Sequence, residues 1–458
     1  MRKPSVIASN RGPVSFTIVN GEVQVGSSSG GLASGLGAIL ADQGITWIAA
    51  AVTDGDREAA KTHIGSQAGF EIQLVEMEPA RYRLAYDVIA NQTLWFMLHD
   101  LWDLPRMPRF DGQWREAWSA YRELNDAFAA QIAESAAADS AVLVQDYHLL
   151  LVGARLAELR PDLTCIHFSH TPFSGPDSMR VLPLEVSKEI LEGMNGFSAC
   201  GFHTKRWANR FESSANEFIG ETPTTFVSAL PSSAERMKNE ITKPGVVRAL
   251  HDLRGRVGER RLLVRVDRIE LSKNIVRGFL AFEEFLDKHP EWHEEVVFEA
   301  SCQPSREGVP EYQTYRTEVE KAAGRINERF GTTTWQPVRL VLADDYAASM
   351  ALLASADAVL VNPTRDGLNL VAREAVLLND RDTVLILSRE AGIADELGEP
   401  ALTINPFDVS ETASAIAVAL TMDRSERADR FARLYAAATE RNTSDWLDDQ
   451  LSVVNNPK

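Results

Sequence analysis

Short runs of apolar, often β-branched residues alternate along the chain with longer stretches in which apolar residues recur at helical spacing. The short runs predict strands and the longer stretches predict helices, a combination typical of parallel sheets with crossover helices. The strands predicted before residue 231 are Ser5–Ser9, Thr46–Ala50, Ala141–Gln145, Thr164–Ser169, Gly196–Cys200 and Thr225–Leu230. Those predicted after it are Arg261–Val266, Val296–Ser301, Val338–Leu342, Ala358–Val361, Val384–Leu387 and Leu402–Ile404.

A polar stretch, Pro231–Pro244, separates the two series of strands. We therefore predict an α/β fold of two Rossmann-like, doubly wound domains whose strand carboxyl ends face a cleft. A chain of 458 residues suits two domains of about 200 residues each better than one core. The predicted bounds are 1–240 and 241–440, followed at 441–458 by a helix that packs back across the domains.

Composition and charge exclude several classes of partner. A net charge of −18 argues against nucleic acid, because binding a duplex requires a clustered cationic surface. No apolar run approaches the roughly 20 residues of a membrane span, and the N-terminus lacks the apolar core of a signal peptide. Cys165, Cys200 and Cys302 lie in or beside apolar runs, which predicts reduced, buried thiols and a cytoplasmic protein. The sequence leaves open whether the chain forms a homo-oligomer.

Two cations follow the strand predicted at 261–266. Arg268 and Lys273 are five residues apart in a polar turn, where they can stabilise the negative charges of a departing nucleoside diphosphate. The alternative is a surface ion pair with Glu270.

A second polar patch follows the strand predicted at 358–361. Asp366 and Glu374 flank a glycine turn and a predicted helix start, where the N–H groups of Asn369, Leu370 and Val371 can face a phosphate. The carboxylates can accept hydrogen bonds from sugar and ribose hydroxyls, or else stabilise the helix dipole. Together the two patches predict a small-molecule ligand of the sugar-nucleotide class.

Polar side chains also end two of the strands predicted earlier in the chain. Asp146 follows the strand at 141–145, and His170 follows the strand at 164–169. If these strands are neighbours, the two side chains lie side by side. Asp146 can accept hydrogen bonds from sugar hydroxyls or act as a base, and the alternative is a helix N-cap.

Three further features fit either a ligand site or an ordinary structural role. Gly30 and Gly31 precede a predicted helix, where bare backbone can approach a phosphate, although the spacing does not match the dinucleotide fingerprint. Arg306 follows a strand and can reach a phosphate, or be an ordinary exposed arginine. A helical face can line a pocket or belong to the core, and it carries Tyr86, Asn91, Trp95 and His99.

Taken in order, these patches resemble the trehalose-6-phosphate synthase family of retaining glucosyltransferases, which has the GT-B fold. The similarity extends from Ser9 to about Asp408, and it includes Trp47-Ile48, Gly201-Phe202-His203-Thr204, Ala323-Gly324-Arg325-Ile326-Asn327 and Asn405-Pro406-Phe407-Asp408. The resemblance implies transfer of glucose from a nucleoside diphosphate glucose, with UDP-glucose expected, to glucose 6-phosphate with retention and without a metal or other cofactor. The product is α,α-trehalose 6-phosphate, and the sequence leaves the donor base open.

The resemblance also implies roles for individual residues. The acceptor sugar phosphate would be held by Arg11, Tyr86, Trp95, Asp146 and Arg306. The donor would be held by Gly30, Gly31, Arg268, Lys273, Asn369, Leu370, Val371 and Glu374. His170 and Asp366 would lie at the transferred glucose. The departing phosphate is expected to assist the incoming hydroxyl on the same face of the sugar.

Several motifs depart from the family pattern. Where the family usually has Leu-Trp-Pro, this chain has Leu94-Trp95-Phe96. Where the family usually has Asp-Tyr-Ser-Lys-Gly, this chain has Glu270-Leu271-Ser272-Lys273-Asn274. The diphosphate residues are intact and the acceptor wall has changed. Alternatives on the same fold are therefore a glucosylglycerol-phosphate synthase, a pseudoglycosyltransferase that resembles validoxylamine-phosphate synthase, or a noncatalytic sugar-phosphate sensor. A Rossmann dehydrogenase is disfavoured by the missing fingerprint.

Overall fold

The computed structural model describes residues 4–27, 40–41, 44–62, 66–67 and 69–453. The chain forms two compact units, Met1–Leu230 with Thr443–Lys458, and Pro231–Asn442. The boundary between the units lies between Leu230 and Pro231, before the predicted boundary at residues 240 and 241. The helix Ala234–Ile241, which the Ser233 hydroxyl caps, therefore belongs to the second unit. In the described ranges, no helix is long and apolar enough to cross a membrane.

The first unit contains a mainly parallel sheet and a separate hairpin. Its strands are β1 (Pro4–Ala8), β2 (Val14–Val19), β3 (Glu22–Ser27), β4 (Thr46–Ala50), β5 (Ser66–Gln67), β6 (Phe70–Val75), β7 (Ala141–Gln145), β8 (Thr164–Ser169), β9 (Ala199–Phe202) and β10 (Thr225–Val227). The sheet order is β10-β9-β8-β7-β1-β4-β6-β5, in which only the β5–β6 pair is antiparallel among the described strands. Strands β2 and β3 form the antiparallel hairpin.

Helices cover this sheet and connect its strands. They are α1 (Asp54–Thr62), α2 (Pro79–Arg83), a π-helix (Leu84–Leu94), α3 (Trp95–His99), α4 (Gly112–Ser135), a 3₁₀ turn (Tyr147–Leu149), α5 (Val152–Leu159), α6 (Pro176–Met179), α7 (Leu184–Asn195) and α8 (Lys205–Ile219). The carboxy-terminal helix of the chain, Thr443–Val453, also packs on this unit, where Ser228 Oγ donates to Asp449 Oδ2 at 2.7 Å.

The second unit is a six-stranded parallel sheet with helices. Its strands are β11 (Arg261–Arg268), β12 (Val296–Gln303), β13 (Val338–Val341), β14 (Ala358–Val361), β15 (Val384–Ser388) and β16 (Leu402–Ile404), in the order β13-β12-β11-β14-β15-β16. Its helices are α9 (Ala234–Ile241), α10 (Pro244–Val257), a 3₁₀ turn (Leu271–Lys273), α11 (Ile275–Lys288), a 3₁₀ turn (Pro290–Trp292), α12 (Pro310–Phe330), α13 (Tyr346–Ser355), α14 (Leu370–Leu378), α15 (Ala394–Leu397), α16 (Val409–Thr421) and α17 (Arg424–Thr439). The remaining helix, Thr443–Val453, is α18. Phe279, Phe282 and Phe298 lie in a core between β12 and α11.

The connectivity defines a switch point in each sheet. From β1 the chain moves outward through β4 and β6 and then returns to β7 on the other side of β1. The second sheet repeats this with β11, β12 and β13 before the return to β14. Crevices open at the carboxyl ends of strands where the winding direction reverses, and ligands bind there. Residues that follow β1, β7, β11 and β14 are therefore the site candidates.

All twelve predicted strands are present, with different ends for some. The prediction at Gly196–Cys200 was wrong at its start, because Gly196 ends α7 and the strand begins at Ala199. The prediction at Thr225–Leu230 was too long, since β10 ends at Val227. The three cysteines are free and buried, as expected.

Candidate active site

The turn after β1 is fixed from the interior of the first unit. Ser9 Oγ accepts a hydrogen bond from Trp47 Nε1 at 2.8 Å and donates to Arg11 O at 2.6 Å. Asn10 is buried and its Oδ1 accepts from Tyr82 OH at 3.0 Å, whereas its Nδ2 has no partner in the described part of the chain. Arg11 is exposed, and its charge acts to lower the pKa of Tyr82, which burial raises above its ordinary value. The turn thus presents a cation beside a tyrosine.

Asp146 and His170 lie side by side, as predicted. Strands β7 and β8 are parallel neighbours with Gln145 opposite Phe168, so the residues that follow emerge together. His170 N donates to Asp146 Oδ1 at 3.2 Å, and His170 Nε2 is 3.0 Å from Gln145 Oε1. Asp146 has a left-handed backbone (φ 73°) and makes no side-chain capping bond to the 3₁₀ turn that follows. Its carboxylate is therefore fixed by the next strand, and the helix-cap alternative was wrong.

His170 is held neutral. Burial lowers its pKa well below the ordinary value, and the nearby imidazoles of His203 and His167 lower it further. Aromatic rings surround it: the ring centroid of His203 is 5.2 Å away and that of Trp446, on α18, is 6.0 Å away. A neutral imidazole offers one hydrogen-bond donor and one acceptor. Sequence reasoning assigned neither His203 nor Trp446 to the site.

The π-helix carries an aromatic stack towards the same strand ends. Its hydrogen bonds span five residues, so Tyr86 and Asn91, five apart, share a face. Tyr86 stacks on Tyr82, with ring centroids 5.5 Å apart, and on His148, with centroids 5.7 Å apart. Tyr86 is only partly buried, whereas Asn91 is buried and accepts from Tyr147 OH at 3.0 Å.

Trp95 and His99 continue this segment into the interior. Their rings stack with centroids 3.9 Å apart, and His99 Nδ1 is 2.9 Å from Trp95 O. Trp95 is 7% exposed and His99 is 3% exposed. The predicted pocket-lining face is therefore mixed: Tyr86 is partly exposed, whereas Trp95 and His99 are buried.

In the second unit, Lys273 pairs with Asp366. Lys273 Nζ donates to Asp366 Oδ2 at 2.6 Å, across the switch point between the ends of β11 and β14. Burial acts to lower the pKa of Lys273, but the carboxylates of Asp366, Asp267 and Glu270 raise it above its ordinary value overall. The ammonium group therefore stays charged at neutral pH.

Arg268 and Arg306 converge on one buried carboxylate. Glu270 Oε1 is 3.2 Å from Arg268 Nε and 2.5 Å from Arg306 Nη1, and Glu270 is 0% exposed. Arg268 is half exposed, whereas the Arg306 side chain is 8% exposed. The pairing of Arg268 with Glu270 is thus real but not a surface ion pair, and the alternative of an exposed Arg306 was wrong.

The start of α14 is arranged as the sequence predicted. Asn369 has a left-handed backbone (φ 85°), its Oδ1 accepts from Ala372 N at 3.2 Å, and its Nδ2 donates to Asp366 Oδ2 at 3.1 Å. Leu370 and Val371 are the first two residues of the helix, where N–H groups have no intrahelical acceptor. A helix start with such N–H groups can bind an anion.

Glu374 lies one turn further along α14. Burial raises its pKa, and the charge of Arg236 on α9 opposes that rise. The loop after β15 supports the turn that precedes this helix: Gly392 N donates to Asp366 O at 3.1 Å, and Ile393 N donates to Leu368 O at 2.8 Å. Sequence reasoning missed Gly392, whose only signal was its position after a predicted strand.

The predicted site residues fall into two sets. Those grouped in the first unit are Arg11, Tyr86, Trp95, Asp146 and His170. Those grouped in the second unit are Arg268, Lys273, Arg306, Asp366, Asn369, Leu370, Val371 and Glu374. Arg306 was assigned to the acceptor with residues of the first unit, but it belongs to the second. Gly30 and Gly31 lie outside the described residues.

Comparisons with known proteins agree over nearly the whole chain. The model of glycosyltransferase family 20 matches residues 3–456. The chain is 32% identical to alpha,alpha-trehalose-phosphate synthase (UDP-forming) 2 of Aspergillus niger, over 96% of this chain and 94% of that protein. It is also 32% identical to the bifunctional trehalose-6-phosphate synthase/phosphatase of Thermoproteus tenax, over 97% of this chain but only 62% of that protein.

A solved structure gives the same result for the fold. The alpha,alpha-trehalose-phosphate synthase (UDP-forming) from Burkholderia xenovorans in complex with glucose-6-phosphate superposes with a TM-score of 0.86 at 25% identity. The match covers 99% of this chain and 100% of that chain. Together with the two parallel sheets, it confirms the predicted GT-B class of two Rossmann-like domains.

Proposed function

The chain belongs to glycosyltransferase family 20, and we propose that it transfers glucose from UDP-glucose to glucose 6-phosphate with retention, forming α,α-trehalose 6-phosphate. The first unit is the acceptor domain and the second the donor domain in this proposal. The observation that carries it is the Lys273–Asp366 pair beside the start of α14. It combines a permanent cation, open helix N–H groups and a carboxylate, which a sugar diphosphate requires.

On the donor side, the charge that develops on the leaving diphosphate is met by three kinds of group. Lys273 supplies a point charge, Arg268 a guanidinium at a half-exposed position, and Leu370 and Val371 their N–H groups. Glu374 accepts from the ribose hydroxyls. Asp366, fixed by its bond from Lys273, accepts from hydroxyls of the transferred glucose.

On the acceptor side, the family resemblance gives Arg306, in the second unit, and Arg11, in the first, each a role in binding the phosphate of glucose 6-phosphate. Tyr86 and Trp95 contact the sugar ring, and Asp146 accepts from a hydroxyl of the acceptor sugar other than the one that attacks. The left-handed backbone of Asp146 and its bond from His170 N support this role, because they hold the carboxylate in one orientation.

Retention follows from attack on the face that the diphosphate leaves. The bond between the anomeric carbon and the diphosphate oxygen breaks, a bond to the acceptor oxygen forms on the same face, and the acceptor proton passes to the departing phosphate. Neutral His170 can hydrogen-bond a glucose hydroxyl, and no covalent enzyme intermediate is required. Arg268 and Lys273 then contribute most of the rate enhancement.

The test is an incubation of the protein with glucose 6-phosphate and UDP-glucose, GDP-glucose or ADP-glucose in turn, followed by NMR of the anomeric protons. The proposal predicts an α,α-linked disaccharide phosphate with UDP-glucose, and product formation that is slower by about a hundredfold or more with the Lys273→Ala variant. If product forms only with GDP-glucose or ADP-glucose, uridine is wrong as the donor base and the reactive donor identifies the correct one. Donor binding without product would move the search to glycerol 3-phosphate and cyclitol phosphates as acceptors, and absence of nucleotide binding would contradict the donor site.

The same proposal places the enzyme in the cytoplasm. Free, buried thiols at Cys165, Cys200 and Cys302 are compatible with a reducing compartment. Fractionation of cells that express the tagged protein is the direct check.

A further inference from the structure

Glu270 lies between two arginines that the proposed function assigns to different phosphates. One of its carboxylate oxygens, Oε1, lies 3.2 Å from Arg268 Nε. The same oxygen accepts hydrogen bonds from Arg306 Nη1 at 2.5 Å and from Ser305 Oγ at 3.2 Å. The carboxylate is fully buried. A single fixed anion therefore joins the arginine of the donor diphosphate to the arginine of the acceptor phosphate.

We propose that Glu270 is a positioning residue that sets the spacing between Arg268 and Arg306, and thereby couples donor binding to acceptor binding. The proposal rests on the proposed function, which supplies the two phosphates. Hydrogen bonds between a guanidinium and a carboxylate are among the strong ones, and they remove the rotamer freedom of a long side chain before the ligand arrives.

The register of the second sheet produces this arrangement. Strands β11 and β12 are parallel neighbours with Arg268 opposite Gln303, so the loops that follow them leave the sheet side by side. Arg306 has a left-handed backbone (φ 47°), and its Nη1 is also 3.4 Å from Tyr312 OH. An unusual backbone conformation is maintained only where surrounding contacts fix it, and Glu270 supplies the charged contact.

Charge balance indicates why the anion is needed. The guanidinium groups of Arg268 and Arg306 contact the same carboxylate oxygen and repel each other. The single negative charge of Glu270 cancels half of their combined charge, so a net positive charge is left for phosphate. Without the carboxylate, each arginine gains attraction for anions but loses its fixed position. Removing the charge of Glu270 should therefore weaken phosphate binding if Glu270 positions the arginines, and strengthen it if Glu270 only neutralises them.

Glu270→Gln is the direct test. Because the amide removes the charge but keeps the shape, positioning predicts a loss of kcat/KM of about tenfold or more for both substrates. Glu270→Asp keeps the charge with a shorter reach and should recover part of that loss. In combination with Arg306→Ala, the two losses should be non-additive, because Glu270 acts through Arg306.

Glu299 provides a matched control. It is also a buried carboxylate of the second unit between two arginines, 2.9 Å from Arg256 Nε and 3.0 Å from Arg339 Nη1, but it lies within β12. Glu299→Gln should lower the melting temperature about as much as Glu270→Gln does, because each variant removes one buried charge. Both KM values of Glu299→Gln should stay within twofold of wild type. This comparison separates loss of stability from loss of positioning.

Calorimetry with UDP alone and with glucose 6-phosphate alone gives a readout that does not depend on turnover. Weaker binding of both by Glu270→Gln supports the proposal even if the wild-type protein makes no disaccharide, an outcome that would refute only the proposed reaction. Tighter binding with unchanged kcat would show that the carboxylate only neutralises charge, and would overturn the proposal. Wild-type protein that binds neither compound overturns it as well. If Glu270→Gln does not fold, the same measurements on Glu270→Asp decide.

Discussion

Replacing Gly392 by alanine should disable the donor site while leaving the rest of the second unit folded. An ideal Cβ at this position would be 2.0 Å from Gly367 O, 2.8 Å from Gly367 C and 3.1 Å from Leu368 Cα. All three are backbone atoms, so no side-chain rotamer can relieve the overlap. The turn between Asp366 and Leu368 would have to move.

The size of the effect follows from these distances. A contact with a Cβ below 3.0 Å is not tolerated, so the 2.0 Å contact requires a displacement of about 1 Å. The displaced turn carries Asp366 and precedes the N–H groups of Leu370 and Val371. A misplacement of about 1 Å in a catalytic group can cost about a hundredfold in rate, and overpacking typically costs about 1–3 kcal/mol of stability.

The assay is kcat/KM for the donor, with circular dichroism and thermal unfolding of each variant. Gly255→Ala is the matched control, because its Cβ would meet nothing within 4 Å on helix α10. That variant should be active and about 0.5–1 kcal/mol more stable. A Gly392→Ala variant with kcat/KM within twofold of wild type would refute the close packing on which the prediction depends.

Four further predictions concern charge and protonation. Arg268→Ala and Lys273→Ala should each reduce kcat by about a hundredfold or more with the fold intact, measured by product NMR; wild-type-like turnover would refute their roles. Arg306→Ala should raise the acceptor KM by about tenfold with little change in donor KM, and an unchanged acceptor KM would contradict a phosphate contact. Burial lowers the pKa of His167 from 6.5 to about 4. Since only the unfolded state is protonated in this window, unfolding free energy should fall by up to about 3 kcal/mol as the pH drops from about 6.5 to 4. His167→Gln should lose part of that slope in chemical denaturation. Because the pKa of His170 is also lowered, its titration should add no inflection to the pH dependence of kcat between about pH 6.5 and 8.

The fold was predictable from the sequence where strands are buried on both faces. The runs at 141–144 and 384–387 are continuously apolar and are followed by polar residues, a pattern typical of a buried parallel strand. The hairpin of β2 and β3 was missed, although Asn20-Gly21 is a typical hairpin turn. Its strands lie outside the main sheet and expose Ile18 and Val25, so their pattern differs from that of the buried strands.

The site was predictable only in part, because side chains at strand ends can be read from the sequence and their partners cannot. Asp146 and His170 were placed together by assuming that two consecutive strands are neighbours, which β7 and β8 are. The contact of Glu270 with Arg306 depends on the register between β11 and β12. The contact of Trp446 with His170 depends on where the last helix packs. Neither follows from spacing along the chain.

Asn274 shows how a departure from the family motif can preserve geometry. It stands where the resembled motif has glycine, and its backbone is left-handed, with φ 58° and ψ 39°. Glycine adopts this conformation freely, and asparagine adopts it more readily than other side chains do. The amide also adds contacts that glycine cannot make, because Nδ2 donates to Asn362 O at 3.0 Å and to Pro406 O at 2.7 Å. The residue directly after Lys273 is thereby tied to the loops that follow β14 and β16. The substitution therefore keeps the turn of the motif and fixes it more firmly, and it gives no reason to infer a weakened donor site.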